Sequence, residues 1–270
     1  MNMLGKIRIA NRSDVGCARP HNEDSTASDG SRGIAVVADG MGGYRAGEVA
    51  SAIAVTSIIR HLYLKLPMEE QPRRGEAEAA REDSEILREA IEFANANIYR
   101  HASTKEDYKG MGTTVVAALF HDGGMYTAHV GDSRLYRLRG TEFQQITKDH
   151  SLVQEVVDRG LCTPEEAPRY VSKTYVTRAL GIGSDVVVDL GEERTRPEDI
   201  YLLCSDGLSD MVGNRDIHLT IRKYDDSLMQ AAEELVNLAN KQGGKDNISV
   251  ILVRILGSDT RTGKPQEAQT

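Results

Sequence analysis

Positive charge is scarce in this chain: 33 lysines and arginines face 41 aspartates and glutamates, leaving a net charge of −8. No dense Lys/Arg block gathers the remainder, and a surface that tracks a phosphate backbone needs one, so nucleic acid is not expected as a partner. Cysteine is scarcer still. Cys17, Cys162 and Cys204 are odd in number and form no C-x-x-C pair, which argues against a disulfide scaffold and a zinc knuckle and suits a reducing, cytoplasmic setting. No run of eighteen apolar residues occurs, so no membrane span is expected, and Met1–Ala10 holds too few apolar residues for a secretory signal core. What remains is a chain of 270 residues, 40% apolar, long enough to bury roughly three quarters of its extended surface as one soluble domain over residues 1–256.

Short β-branched runs open the chain at Lys6–Ala10 and Gly33–Ala38, the second hydrophobic enough to be buried on both faces and stopped by Asp39-Gly40. From Gly47 a helical pattern puts Val49, Ile53, Ile58 and Leu62 near one face and ends at Pro67. Residues 67–83, rich in Glu, Arg, Pro and Ala, read as an exposed insertion. A second helix follows, with Ile86, Leu87, Ile91, Ala94 and Ile98 at helical spacing. Next come strands at Thr113–Phe120, Met125–Val130, Arg134–Leu138 and Glu142–Ile146. Their links are too short for a parallel crossover, so they are expected to pair as an antiparallel meander. Short helices at Ser151–Arg159 and Pro164–Ala167, a buried strand at Ile200–Cys204, a helix at Leu228–Gln242 and a strand at Asn247–Ile255 complete the pattern, before a polar tail over 257–270. The class is α+β, with sheet inside and helices outside.

Aspartates recur where these apolar runs stop: Val-Val-Ala-Asp39-Gly40, Gly131-Asp132-Ser133 and Cys204-Ser-Asp206-Gly207, with Lys245-Asp246-Asn247 just before a strand. Any one Asp/Gly pair is explained by turn geometry. Four such acids on one sheet edge would repel one another unless cations compensate, and oxygen-only ligation favours Mg²⁺ or Mn²⁺ over zinc. The segment from Arg19 to Glu23-Asp24 adds a guanidinium suited to a phosphate beside two further acids, although taken in isolation a surface salt bridge between Arg19 and Glu23 is the preferred reading of that pair.

In order along the chain, Arg19-Pro-His-Asn-Glu23-Asp24, Asp39-Gly40-Met-Gly-Gly, Gly112-Thr-Thr, Gly131-Asp132-Ser-Arg, Asp149-His-Ser, Thr177-Arg-Ala-Leu-Gly181, Cys204-Ser-Asp206-Gly207 and Lys245-Asp246-Asn247 resemble the successive motifs of the PPM/PP2C metal-dependent protein serine/threonine phosphatases, bacterial type. The resemblance covers about Ser13 to Arg254 and implies an antiparallel β-sandwich flanked by helices on both sides, a four-layer αββα arrangement. It also implies two or three Mn²⁺ or Mg²⁺ ions: Asp39 bridging two of them with the Gly40 carbonyl on one, Asp206 and Asp246 completing the other, Glu23 acting through water, Asp24 holding water, and Asp132 joining Asp206 around a weaker third ion near a flap at about 151–177. Arg19 matches the phosphate-binding arginine. The implied activity is hydrolysis of phosphoserine and phosphothreonine in phosphorylated proteins by a water shared between the metals, opposing a eukaryotic-like Ser/Thr kinase.

Absent motifs agree with a water nucleophile. None of the three cysteines has an arginine six residues later, the D-x-D-x-T/V stretch of aspartyl-phosphate enzymes is missing around Asp39, and no G-K-[S/T] follows the glycines near Gly40. Met41 stands where eukaryotic relatives often carry a histidine, so no leaving-group acid is assigned. His21 and His150 lie within the motifs and are read as hydrogen-bonded structural residues. His129 is read as a core or surface residue. The rival readings are a catalytically silent phosphoprotein-binding module of the same fold and another two-metal enzyme such as a nuclease or phosphodiesterase, the latter disfavoured by the net negative charge.

Overall fold

A computed structural model of the chain describes residues 2–43, 45–66, 76–164, 166–172 and 174–257, without the side chains of residues 76–81 and 168. Its strands are β1 (Ile7–Asp14), β2 (Asp24–Asp29), β3 (Ile34–Met41), β4 (Gly112–Thr113), β5 (Val115–His121), β6 (Gly124–Val130), β7 (Arg134–Arg139), β8 (Glu142–Gln145), β9 (Asp189–Arg194), β10 (Ile200–Cys204) and β11 (Ile248–Ile255). Its helices are α1 (Ala46–Lys65), α2 (Glu76–Thr104), α3 (Leu152–Asp158), α4 (Asp206–Ser209), α5 (Asn214–Lys223) and α6 (Leu228–Lys241). One sheet runs β1-β11-β10-β7-β8 and the other β2-β3-β5-β6-β9, every pairing antiparallel.

The uninterrupted apolar runs have a simple cause: their strands are covered on both faces. In β3, Ile34, Val36 and Ala38 face α1 and α2, while Ala35 and Val37 face the opposite sheet. In β10, Ile200, Leu202 and Cys204 pack towards α5 and α6, and Tyr201 and Leu203 enter the space between the sheets. β11 divides likewise, with Val250 and Leu252 outward and Ile251 and Val253 inward. Three apolar layers result, one between the sheets and one under each helix pair, which is the expected αββα sandwich. Between the sheets Phe120 and Tyr201, two of the largest fully buried side chains, meet edge-on with ring centroids 5.5 Å apart.

Several elements depart from the sequence pattern. Within the insertion expected at 67–83, α2 already starts at Glu76 and Asp83 is buried, while residues 67–75 lie outside the described residues. The periodicity missed this because alanine, glutamate and arginine are strong helix formers that leave no apolar stripe. The buried face of α1 is formed by Ala46, Ala50, Ala54, Ile58 and Leu62, with Val49 and Ile53 only partly covered. Small side chains let this helix approach the sheet, and a helix apolar nearly all round does not announce its inner face. The second short helix expected at 164–167 is a single turn at Ala167–Arg169. The strands β2 and β9 and helix α5 had no counterpart in the reading, because β2 (Asp-Ser-Thr-Ala-Ser-Asp) and β9 (Asp-Leu-Gly-Glu-Glu-Arg) are polar sheet-edge strands.

The main correction concerns the expected meander. β5–β6 and β7–β8 are hairpins, but the Gly131-Asp132-Ser133 link does not close one: it carries the chain from β6 in one sheet to β7 in the other. Gly131 makes the crossing with φ +108°, and a Cβ there would fall 2.6 Å from Thr114 Cβ. Gly131→Ala should therefore lower stability by the left-handed penalty of about 1–2 kcal/mol plus an overpacking cost of roughly 1–3 kcal/mol. Gly123→Ala, at φ +79° in open space, should show only the first cost. Urea unfolding of both variants is the check, and equal losses would refute the steric account.

Candidate active site

Antiparallel pairing delivers the acids to one rim. β2 starts as β3 ends, so Asp24 sits opposite Asp39 in register. In the other sheet β10 pairs antiparallel with β11, so Asp206, just past the end of β10, and Asp246, just before β11, arrive at the same end. The crossing from β6 to β7 brings in Asp132. Asp39 accordingly feels Asp24, Asp206, Asp132 and Asp246 together, and burial plus this repulsion holds its carboxyl well above the usual range.

The others respond in kind. Burial, then the charges of Asp206 and Asp246, pushes Asp24 up to about 7 against hydrogen bonds from Ser249 and Ser205. Burial, then Asp246 and Asp210, raises Asp206 to about 6, and burial, then Asp206 and Asp149, raises Asp132 to about 8. Glu23 is also raised, by burial, with Arg19 opposing. Asp24 Oδ2 accepts a hydrogen bond from Ser205 Oγ at 2.8 Å, but Asp24 Oδ1 and Asp206 Oδ1 are buried without a hydrogen-bond partner. Unpartnered buried carboxylate oxygens facing like charges form a donor set that fits hard divalent cations.

Gly40 lies where backbone must approach backbone. Its N–H donates to the Glu23 carbonyl at 3.1 Å, and a Cβ on it would meet the Gly47 carbonyl oxygen at 2.1 Å. This packing holds the Gly40 peptide, at the end of β3, against both Glu23 and the start of α1.

Arg19 projects from the loop between β1 and β2. Its guanidinium pairs with Asp246 at 2.7 Å, not with Glu23 as the four-residue spacing suggested, and its side chain is 49% exposed. The loop itself is held by Asn247, a residue the sequence reading quoted without a role. Asn247 Nδ2 donates to the carbonyls of Val15 and His21 at 2.8 and 2.9 Å, and its Oδ1 accepts from the Glu23 N–H at 2.7 Å. An asparagine opening an otherwise apolar strand was the available signal. Ser205 was missed too, and serines offer no periodicity to betray them.

Beside Asp132 a second polar network appears. Arg134 donates to both oxygens of Asp149, His129 and His150 stack with centroids 4.6 Å apart, and His150 Nε2 lies 3.2 Å from Asp189 Oδ2. His129, which showed no ligand spacing in sequence, is brought to Asp189 by the pairing of β6 with β9, and His150 joins them through its hydrogen bonds to Gly131.

The family model for protein phosphatase 2C matches residues 19–253. The serine/threonine phosphatase stp of Listeria welshimeri serovar 6b is 38% identical over 245 residues, covering 90% of this chain and 93% of that protein. The serine/threonine protein phosphatase PstP of Mycobacterium tuberculosis is 37% identical over 259 residues, covering 96% of this chain but only 47% of its own length. Among solved structures, Stp1 of Staphylococcus aureus superposes with a TM-score of 0.82 at 33% identity over 95% of this chain and 98% of the other. The catalytic domain of PstP in complex with two manganese ions gives 0.79 at 37% identity over 93% and 99%. Shared sequence along nearly the whole chain, carried by the same layered fold, makes this chain a member of the protein phosphatase 2C family.

Proposed function

We propose that the chain is a metal-dependent phosphoprotein phosphatase that hydrolyses phosphoserine and phosphothreonine by direct attack of water, the single observation carrying this being the meeting of Asp24, Asp39, Asp132, Asp206 and Asp246 at one rim, where Asp24 Oδ1 and Asp206 Oδ1 are buried and unpartnered. The donor set fits two or three Mn²⁺ or Mg²⁺ ions, and the relative crystallised with two manganese ions supports the same reading. Asp39 and the Gly40 carbonyl, with Glu23 through water, would hold one ion, Asp39, Asp206 and Asp246 the second, and Asp132 with Asp206 a weaker third, while Asp24 would hold water. Such ions, when bound, lower the proton affinity of a shared water and neutralise charge on phosphoryl oxygens.

The remaining steps belong to side chains. Arg19, exposed and tethered to Asp246, can present two N–H groups to phosphoryl oxygens and stabilise the charge that grows on them. Ser205 and the Asn247 clasp hold Asp24 and the Glu23 backbone, so the water-positioning carboxylates are fixed before substrate arrives. A thiol nucleophile is a poor alternative: Cys204 is fully buried and its pKa is pushed up to about 12, chiefly by burial. Phosphorylated proteins are the partner class, and an opposing eukaryotic-like kinase and a cytoplasmic location belong to the same proposal. No helix among the described residues is long and apolar enough to cross a membrane.

Hydrolysis of p-nitrophenyl phosphate and a phosphothreonine peptide with Mn²⁺, abolished by EDTA and absent with a bis-ester, is the expected outcome, and silence on both monoesters at saturating metal would reject the reading. Asp39→Ala and Asp206→Ala should each lower metal-dependent turnover on the order of a hundredfold or more with an unchanged far-UV spectrum. Arg19→Ala should remove about 1.5–3 kcal/mol of phosphate interaction, seen as a roughly tenfold to hundredfold fall in kcat/KM, and parental kinetics would contradict its role.

The raised carboxyl values also set a pH dependence. A folded-state pKa above the unfolded one means that the metal-free fold binds extra protons, so this contribution is complete below about pH 4 and is lost as pH rises through 6 to 8. Cation binding displaces those protons and strengthens over the same interval. The increase in Tm produced by Mn²⁺ over EDTA should therefore grow from pH 5 to pH 8 in thermal scans, and a constant increase would show that the carboxylates are not the ligands.

A further inference from the structure

The polar network beside Asp132 does more than fill space. His150 is 8% exposed and makes a reciprocal pair with Gly131: its backbone N–H donates to the Gly131 carbonyl at 2.9 Å, and the Gly131 N–H donates to His150 Nδ1 at 3.0 Å. Because Nδ1 accepts, the neutral ring carries its proton on Nε2, which lies 3.2 Å from Asp189 Oδ2 as a close electrostatic contact without hydrogen-bond alignment. Asp189 in turn accepts from Arg178 at 2.5 Å. The His150 carbonyl accepts from the Thr177 N–H at 2.8 Å, and Leu152 N–H donates to the Tyr175 carbonyl at 2.9 Å. One imidazole thus touches the sheet-crossing turn and strand β9, while its own backbone ties together the two roots of the 151–177 loop.

His129, His150 and Asp189 also bring potential ligand atoms within 4.8 Å of one another, which invites a metal-site reading. The tautomers speak against it. A cation on His150 Nε2 with the Gly131 N–H on Nδ1 would need two ring lone pairs, which only an imidazolate has. His129 Nε2 lies 2.8 Å from the Lys148 carbonyl oxygen, so that nitrogen carries the proton and only Nδ1 keeps a lone pair; the case against a metal therefore rests on His150. Burial lowers the pKa of both rings, which keeps them neutral.

We propose that His150 is a positioning residue for Asp132: as the Nε2–H tautomer between the Gly131 amide and the Asp189 carboxylate, it fixes the Gly131-Asp132 turn and thereby the carboxylate that holds the weaker third ion. This rests on the assignment of Asp132 given above. The turn needs such a brace, since Asp132 lies on a link between two sheets where no ladder of hydrogen bonds sets its position. Residues that orient a ligand from behind typically matter 10–100-fold in metal affinity.

The two halves of the brace separate by substitution. His150→Asn places an acceptor near the position of Nδ1 and loses the reach to Asp189, whereas His150→Gln reaches Asp189 and loses the acceptor for Gly131. Mn²⁺ titration by calorimetry, beside the ¹H–¹⁵N signal of the Gly131 amide, reads both. We expect His150→Gln to shift the Gly131 amide and weaken the third Mn²⁺ about tenfold with the tight pair within about twofold, and His150→Asn to stay within about threefold of the parent throughout. Equal losses in the two variants, or no loss in His150→Gln while Asp132→Asn abolishes the third ion, overturn the proposal alone. An Asp132→Asn variant that binds Mn²⁺ like the parent removes the Asp132 assignment and the proposal with it. Should neither His150 variant fold, ¹⁵N shifts of the imidazole in the unaltered protein decide the matter: protonated Nε2 with bare Nδ1 supports the brace, and the opposite tautomer overturns it.

Discussion

Mutual repulsion of carboxylates is the constraint on which the rest of the structure depends. Asp24, Asp39, Asp132 and Asp206 are all held above their ordinary pKa by burial and by one another, so in the absence of cations the rim works against the fold. Something must hold these groups together anyway. The three apolar layers do so, because strands covered on both faces cannot splay to relieve a repulsion at their ends without opening a close-packed core. The site is therefore preorganised for positive charge, with little reorganisation left for the moment of binding.

Within that framework, rigidity and mobility are divided between residues. Asp24 is backed by Ser205, and the Glu23 backbone by Asn247, whose three hydrogen bonds tie the β1–β2 loop to the start of β11. Arg19 springs from the same loop yet keeps an exposed side chain with one carboxylate partner. An exposed ion pair of this kind contributes little to stability, so releasing Arg19 from Asp246 costs the fold little. The base of the loop is fixed while its arginine stays available.

How much of this was legible in the sequence follows from where each signal comes from. Apolar runs such as Gly33–Ala38 and Ile200–Cys204 were readable because double-sided burial demands hydrophobic side chains at every position, and the acids were readable because they interrupt those runs. Polar edge strands such as β2 escaped, since an edge needs no apolar face of its own. The start of α2 escaped because its first turns show no apolar stripe. The sheet crossing at Gly131-Asp132-Ser133 was mistaken for a hairpin because a three-residue link has the same length in either role. The strand partners distinguish the two, β6 lying between β5 and β9 and β7 between β10 and β8, and Gly131 fits tightly against Thr114 at the crossing. His150 was legible as a hydrogen-bonded residue of the Asp149-His-Ser motif, whereas its proximity to His129 and Asp189 gave no signal.

That crossing also separates Asp132 from the other acids. Asp24 and Asp39 are strand residues set opposite each other by a ladder, and Asp206 and Asp246 flank adjacent paired strands, so a change at their positions must propagate through a sheet. Asp132 is held by Gly131, and Gly131 by a side chain from the root of a loop. Displacement of the 151–177 segment could therefore reach Asp132 through His150 with no sheet distortion, while Asp39 is held by Thr113 Oγ1 and the Thr114 N–H on its carbonyl, Thr113 being bridged in turn to Leu180 just beyond that segment. The rim is thus built from strand ends plus one carboxylate on a link between the sheets, and the topology that denies β6–β7 a hairpin is what sets Asp132 apart.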